Sequence, residues 1–540
     1  MIYNDIMVSG NAYQTQSFRR ISMSIFPEMH TPTHSLVIAD LRHDSMDGQI
    51  AACGLQGIIN RDSTEKVYVH HTYCADNCGG WNDPEEMGLH MAHTALQWLD
   101  HIYADIPKET LEPADSAEYP MLLSLLKRYG YLLKGAVIYD PDLEQATIEL
   151  ATTIAGQKDY LITSPALYEQ LLAQGYVFPE TKDLRACSFR SNVECLNYAL
   201  EHYFENANHK VAFTWSHMTR GPESWGGANK DYVVANRLFT YYLNIFDQEE
   251  RAHYQDVLER YPKGTPILGW TDEIVADGLF ASLGMMMIPF ISVENMTVAS
   301  SFPPAELPPY RPECPELEED AVYIVFQVAD GDNLEHSLVY EPYTIARDPA
   351  FGAIPAAWVI NPALCELAPR HLLYLTKVLR EAGQEPTAML SDGSPHPDRY
   401  TGFHQYCQIL RYCMEKSGIV SMKQMADAEA VSWNVTPDVI LSGYSGSDPR
   451  GIGPYEYHMD GKTFHMGSRP LGECDLTEII RNAGRPFFLS VFAGTAAGSV
   501  ASRIQSAADE LRTAMPDTKF RFVVPSVAAM LYKRSCGKDC

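Results

Sequence analysis

The sequence predicts an α/β protein in two parts, an N-terminal region built on parallel sheets and a C-terminal (β/α)8 barrel of the TIM type. Three observations carry this expectation. Short β-branched runs alternate with stretches of helical spacing along most of the chain, the rhythm of parallel strands covered by helices. Beyond residue 263 eight strand candidates fall within about 280 residues, which matches the size of such a barrel. The run Val322–Val328 is apolar on both faces and stops abruptly at Asp330-Gly331-Asp332-Asn333. Covered strands that release polar groups through a glycine turn are how α/β folds place reacting groups at one end of a sheet.

At 540 residues the chain is too long for a single core. A division near Tyr261-Pro-Lys-Gly-Thr-Pro266 gives 1–262 and 263–540, the first part splitting further at about 34–130 and 131–262. Formal charge is 41 minus 69, or −28. Nucleic acids and anionic membranes attract clustered Lys and Arg, so neither is an expected partner. No run reaches the length of a membrane span, and the first residues lack the basic and apolar regions of a secretory signal. Twelve cysteines without framework spacing suit a reducing compartment, and the expected location is the cytoplasm.

In chain order, residues 1–33 read as an irregular lead-in. Leu36–Asp40 and Val67–Val69 are strand-like and flank a small-residue helix at 48–59. Helical patterns follow at 85–102 and 119–129. Gly135–Asp140 and Tyr160–Ile162 are strands separated by a helix at 143–155. Ser164-Pro165 opens another helix, serine as cap and proline at the first position. Lys210–Trp215 is a strand, followed by helices at 230–247 and 248–260. The eight barrel strands are Ile267–Trp270, Met285–Phe290, Val322–Val328, Pro355–Ile360, Pro386–Leu390, Asp438–Leu441, Pro486–Phe492 and Phe520–Val524. Residues 442–470 form a Gly/Tyr-rich excursion of the kind functional loops make.

Residues that follow barrel strands share one rim. Here they are Asp272 and Glu273, then Glu294 and Asn295, then Asp330, Asp332 and Asn333, then Asn361, then Asp392 and His396, then Tyr444. Trp270 and Trp358 lie within strands one and four. Acids and amides bond hydroxyls while aromatic faces stack on sugar C–H faces, so the set reads as a carbohydrate surface. Each member also has a plain structural role: Asp-Gly is a turn signal, and first-turn acids suit a helix dipole. No phosphate-binding loop, dinucleotide fingerprint or nucleophile elbow is present, and Leu334 breaks any calcium loop begun at Asp330. No cofactor or resident metal is expected.

Several segments resemble the GxGYxYP family of glycoside-hydrolase-like proteins. They are Leu55-Gln-Gly-Ile-Ile-Asn-Arg61 with Val67-Tyr-Val69, Gly135–Asp140 with Ala151–Ala155, Lys230–Phe239, Gly269-Trp270, Glu294–Ser300, Asp330–Asn333 and Ile354–Trp358 with Asn361-Pro-Ala363. The resemblance covers roughly residues 36–530, in order. The motif that names the family falls at Ser391–Pro397, where Gly393 and Pro397 match but Ser394 and His396 replace the tyrosines. The chain is thus similar to a divergent branch, and the resemblance implies a C-terminal hydrolase domain.

The expected function is hydrolysis of a glycoside by two carboxyls, one protonated and one ionised. Asp330 or Asp332 would pair with Asp272, Glu273 or Asp392, and like-charge repulsion between Asp330 and Asp332 would supply the protonated member. Trp270, Glu294, Asn295, Asn333, Trp358, Asn361, His396 and Tyr444 would contact the substrate, a saccharide or other small polar molecule. Two rival readings are saccharide binding without cleavage and metal-dependent deacetylation through Asp330, Asp332 and a histidine. The sequence leaves oligomeric state open.

Overall fold

A computed structural model describes residues 24–70, 98–116, 118–216, 229–271, 273–290, 293–329, 334–391, 401–424, 428–442, 457–495 and 499–538. Three parallel sheets precede the barrel. The first has the order β2 (Glu65–His70), β1 (Ser35–Asp40), β3 (Lys108–Thr110). In the second, β4 (Gly135–Ile138) lies between β5 (Tyr160–Thr163) and β6 (Glu180–Asp183). Helix Met46–Asp62 is buried from Gly48 to Asn60 and packs against β2, β5 and helix Lys230–Ala235. A helix covered on all sides has no polar stripe, which explains its run of small and apolar residues. Gly57 makes the closest approach: a Cβ there would stand 2.5 Å from the Asp231 carbonyl oxygen.

The polar residues of this helix are staples. Gln56 Nε2 donates to the Val67 carbonyl (3.0 Å) and to Asn295 Oδ1 (2.8 Å). Asn60 accepts from the Val67 amide and donates to Thr297 Oγ1 (2.8 Å). Arg61 donates to the carbonyls of Gly156, Val234 and Ala235 and pairs with Asp159, so one guanidinium satisfies the ends of two other helices.

The third sheet has the order β10 (Met286–Pro289), β9 (Pro266–Trp270), β7 (Ala212–Ser216), β8 (Tyr242–Leu243). It corrects two expectations. The strands expected to open the barrel, Ile267–Trp270 and Met285–Phe290, are β9 and β10, and β9 is paired with β7 in register Ala212↔Ile267 to Trp215↔Trp270. A division at residue 262 therefore falls inside one sheet, between β8 and β9. The helix expected over 230–247 ends at Ala235, and residues 242–243 are strand because the segment turns through Arg237, at φ +52°, to lie beside β7.

The barrel is a closed parallel ring of seven strands: β11 (Ala321–Val328), β12 (Ala356–Ile360), β13 (Glu385–Ala388), β14 (Ser421–Gln424), β15 (Val439–Ser442), β17 (Thr463–Pro470) and β18 (Phe487–Gly494), with β18 returning to β11. Strand β16 (Tyr457–Asp460) folds back on β17 as an antiparallel neighbour. The eighth expected strand, β19 (Lys519–Phe522), pairs with the first half of β11, whereas β12 pairs with its last three residues. The α/β class thus holds while the ring differs from the expected eight. Strands β14 and β17 were not among the expected strands.

Alternation sorts the strand residues. Val322, Ile324, Phe326 and Val328 face the helical layer, with Leu372, Leu375 and Leu379. Tyr323 and Val325 face inward with Leu441, Phe464, Met466 and Phe488, and helix Pro525–Ser535 packs its Val527 and Ala528 into the same cluster. No described helix is long and apolar enough to cross a membrane.

Candidate active site

The carboxyl mouth of the ring is where the barrel's polar residues gather. Inward from β11, Gln327 is wholly buried, and its Nε2 donates to Ser468 Oγ (2.7 Å) on β17 and Ser490 Oγ (2.9 Å) on β18. Ser468 spends its one hydroxyl proton on the Ser442 carbonyl (2.7 Å), so it can only accept from the amide. That fixes which way the Gln327 amide points and turns Oε1 toward Lys423 on β14, whose Nζ donates to it at 2.8 Å. Lys423 is 1% exposed, and its Nζ stands 5.4 Å from the Phe492 ring centroid. Burial penalises the ammonium form and pulls the amine down to about 7. Ala329, Val359, Met389 and Phe492 form a small apolar cluster at the same end of the barrel.

The helix that follows β11 enters through a π-turn, His336–Tyr340, a local widening that recurs at functional sites. Its Leu338 carbonyl accepts from the indole Nε1 of Trp98 (3.0 Å), and Ser337 Oγ accepts from the Asn361 amide (3.2 Å). Glu341 is fully buried beside it, and neither carboxyl oxygen finds a hydrogen-bond donor among the described residues. His336 Nδ1 lies 3.8 Å from Glu341 Oε1. Burial raises the Glu341 carboxyl far above its ordinary range and holds His336 at about 3, so the proton stays on the carboxyl and the pair is neutral.

Of the residues expected at the rim, Asp330, Asp332, Asn333, Asp392, His396, Tyr444 and Asp272 lie outside the described residues, as does the side chain of Glu273. Asn361 does follow β12: its Oδ1 accepts from the Ala363 amide (3.0 Å) and its Nδ2 donates to the Leu390 carbonyl (3.3 Å). Trp358 points the other way, into the helical layer. It is 1% exposed, packed on Phe351, and its Nε1 donates to Gln384 Oε1 (3.0 Å), so no ring face is open to a sugar. Trp270, Asp272, Glu273, Glu294 and Asn295 belong to or follow strands of the third sheet, and the ring therefore supplies no reason to gather them at its mouth. Asn295 bonds Gln56 and both polar atoms of the Val69 backbone, so it fastens helix Met296–Ala299 to β2.

Lys423 and Gln327 were not foreseen. Ser421-Met-Lys-Gln424 is too short and polar to read as a strand, and Gln327 looks like an interruption in an apolar run. The usable signal was a lone glutamine on the inward face of a strand otherwise wholly apolar.

Residues 213–301 match the family model described as the GxGYxYP third domain, so the sheet β7–β10 carries the resemblance read from the motifs. Among solved structures the chain is similar to a "putative hydrolase" from Bacteroides thetaiotaomicron VPI-5482. The likeness covers 96% of this chain and 98% of that one at 18% identity, with a TM-score of 0.74, and it shows a common fold. A 4-alpha-glucanotransferase from Thermococcus litoralis aligns over 37% of each chain at 12% identity, and its TM-score of 0.24 carries no argument. No curated protein sequence matches the chain.

Proposed function

We propose that this protein hydrolyses a glycosidic bond at the carboxyl mouth of its barrel. The observation that carries this reading is β11, a ring strand that ends at Val328, two residues before Asp330-Gly331-Asp332-Asn333. Asp330 and Asp332 supply one carboxyl of the pair. Asp392 supplies the other from the segment after β13, which stands two strands away in the ring. Asn333, His396 and Tyr444 lie on segments that follow ring strands and would bond or stack on the sugar. Support comes from the GxGYxYP third domain and from the fold shared with the Bacteroides protein, which is itself described as a putative hydrolase.

A panel of glycosides provides the test. Turnover of any active member should fall at least about a hundredfold in Asp330→Asn and in Asp332→Asn, the loss expected when an acid–base group is removed. Melting temperatures should stay within a few degrees. Full activity in both variants removes the assignment, and saccharide binding without turnover by the unaltered protein assigns the mouth to recognition alone.

A further inference from the structure

Away from the barrel, the N-terminal region encloses a pocket of about 600 Å³ between residues 27–30, 61–62, 206–208 with Lys210, and 235–237. That size falls within the range of small-molecule sites, and no lining residue belongs to the barrel. The walls are held by bonds of their own. The Pro27 carbonyl accepts from the Tyr232 hydroxyl (3.4 Å), and Thr31 Oγ1 donates to the Arg61 carbonyl (3.1 Å). The Asn208 amide donates to the Arg237 carbonyl (2.9 Å), and the Lys210 amide donates to Asn208 Oδ1 (3.0 Å). Arg61 is consumed by Asp159 and three backbone carbonyls, so it is a wall and not a binding group.

What these bonds leave open is polar and carries a positive excess. Lys210 and Arg237 make no ion pair among the described residues, although the chain holds 69 acids against 41 bases. Of the two lining acids, Asp62 attracts the buried Lys66 ammonium, which leaves Glu28 alone against the two cations. Asn206 with its whole amide, Asn208 with Nδ2 and Asn236 with Oδ1 add groups that no described residue takes up. Arg237 holds φ +52°, a left-handed turn that glycine makes without strain. An arginine at that position adds strain and contributes a guanidinium to the pocket. The lining holds no Trp, Tyr or Phe, so a guest gains nothing from stacking and is held by charge and hydrogen bonds.

We propose that this pocket binds a small sugar acid, a monosaccharide bearing a carboxylate or a phosphate. The anionic group lies between Lys210 and Arg237, whose ammonium and guanidinium donate charge-assisted bonds. The asparagines both donate and accept, which suits the sugar hydroxyls. The site is separate from the barrel mouth and does not rest on the reading of that mouth as hydrolytic.

Titration calorimetry of the full-length protein at neutral pH and low salt tests this with glucuronate, glucose 6-phosphate and glucose. At least one of the two acids should bind with millimolar or tighter affinity, and glucose at least about tenfold more weakly. The acid that binds identifies the anionic group as carboxylate or phosphate. Arg237→Gly and Lys210→Gln should each weaken that binding at least about tenfold. Glycine suits the left-handed turn and Lys210 is partly exposed, so both variants should keep the melting temperature of the unliganded protein within a few degrees. Failure of both acids to bind at millimolar concentration overturns the proposal. So does glucose binding as tightly as the acids, or an affinity that either variant leaves unchanged.

Discussion

Glu385 shows how one buried side chain couples the barrel to solution pH. Desolvation raises its carboxyl from an ordinary 4.5 to about 7, against the opposing pull of the Ser526 and Ser421 donors. The folded value stands above the unfolded one, so the native state binds the proton more tightly and stability falls as pH rises from about 4.5 to about 7. The full effect is roughly 3 kcal/mol at most. Glu385→Gln should flatten that decline, which thermal denaturation across the window measures; an unchanged slope would mean that another group carries it. Asn295 makes a second case. Asn295→Ala removes the acceptor of the Val69 amide and one of the two acceptors of Gln56 Nε2, which keeps the Val67 carbonyl, and a loss of about 1–3 kcal/mol in denaturant unfolding is expected. At this scale the sequence was informative about residue types and poor on roles. Asn295 read as a substrate contact, and Gln56, Asn60 and Arg61 sit in a segment of family resemblance, yet all four bond groups of neighbouring elements. Hydrogen-bond partners hundreds of positions apart leave no local pattern to read.

The elements were legible where apolar pattern dominates. Strands β1, β2, β4, β5, β7, β11, β12 and β18 stand close to their expected places because burial on both faces writes a continuous β-branched run. Strand β14 was missed because its inward residues, Ser421 and Lys423, face a polar layer, and β17 because the Gly/Tyr-rich stretch before it suggested a loop. Sheet membership was harder still, since strands of equal spacing can join either sheet. A glycine in β9 decides that case in the structure. Gly269 has φ +111°, and a Cβ there would lie 2.0 Å from the Thr214 carbonyl oxygen, so the strand can pair with β7 only without a side chain. Gly269→Ala should cost about 3 kcal/mol or more, or leave the protein insoluble, because strain and a backbone clash coincide. A variant of ordinary stability in urea would show that β9 pairs otherwise.

The N-terminal sheets and the barrel are fastened to one another. Glu366, beside the barrel, accepts from the Ser24 hydroxyl and the amides of Ile25 and Phe26, while Tyr412 donates to its other oxygen. Arg370 pairs with Asp105, and Trp98 reaches the π-turn. One apolar cluster runs through Leu36, Phe213 and Ile288 into Val322, Leu375 and Leu489. Calorimetry should accordingly record a single transition, with Glu366→Ala lowering its midpoint by several degrees; two resolved transitions would contradict a shared core. The sheet β7–β10 and its core run across residue 262 without a break.

The way β11 finds its neighbours on one side has a consequence for the width of the ring. Ala321–Ile324 pair with β19, which lies outside the ring, and only Phe326–Val328 pair with β12, so on this side the cylinder is closed by one short clasp. Parting that clasp would break the rungs from Phe326 to Val328. Fraying there would leave the pairing of β11 with β18 and with β19 intact.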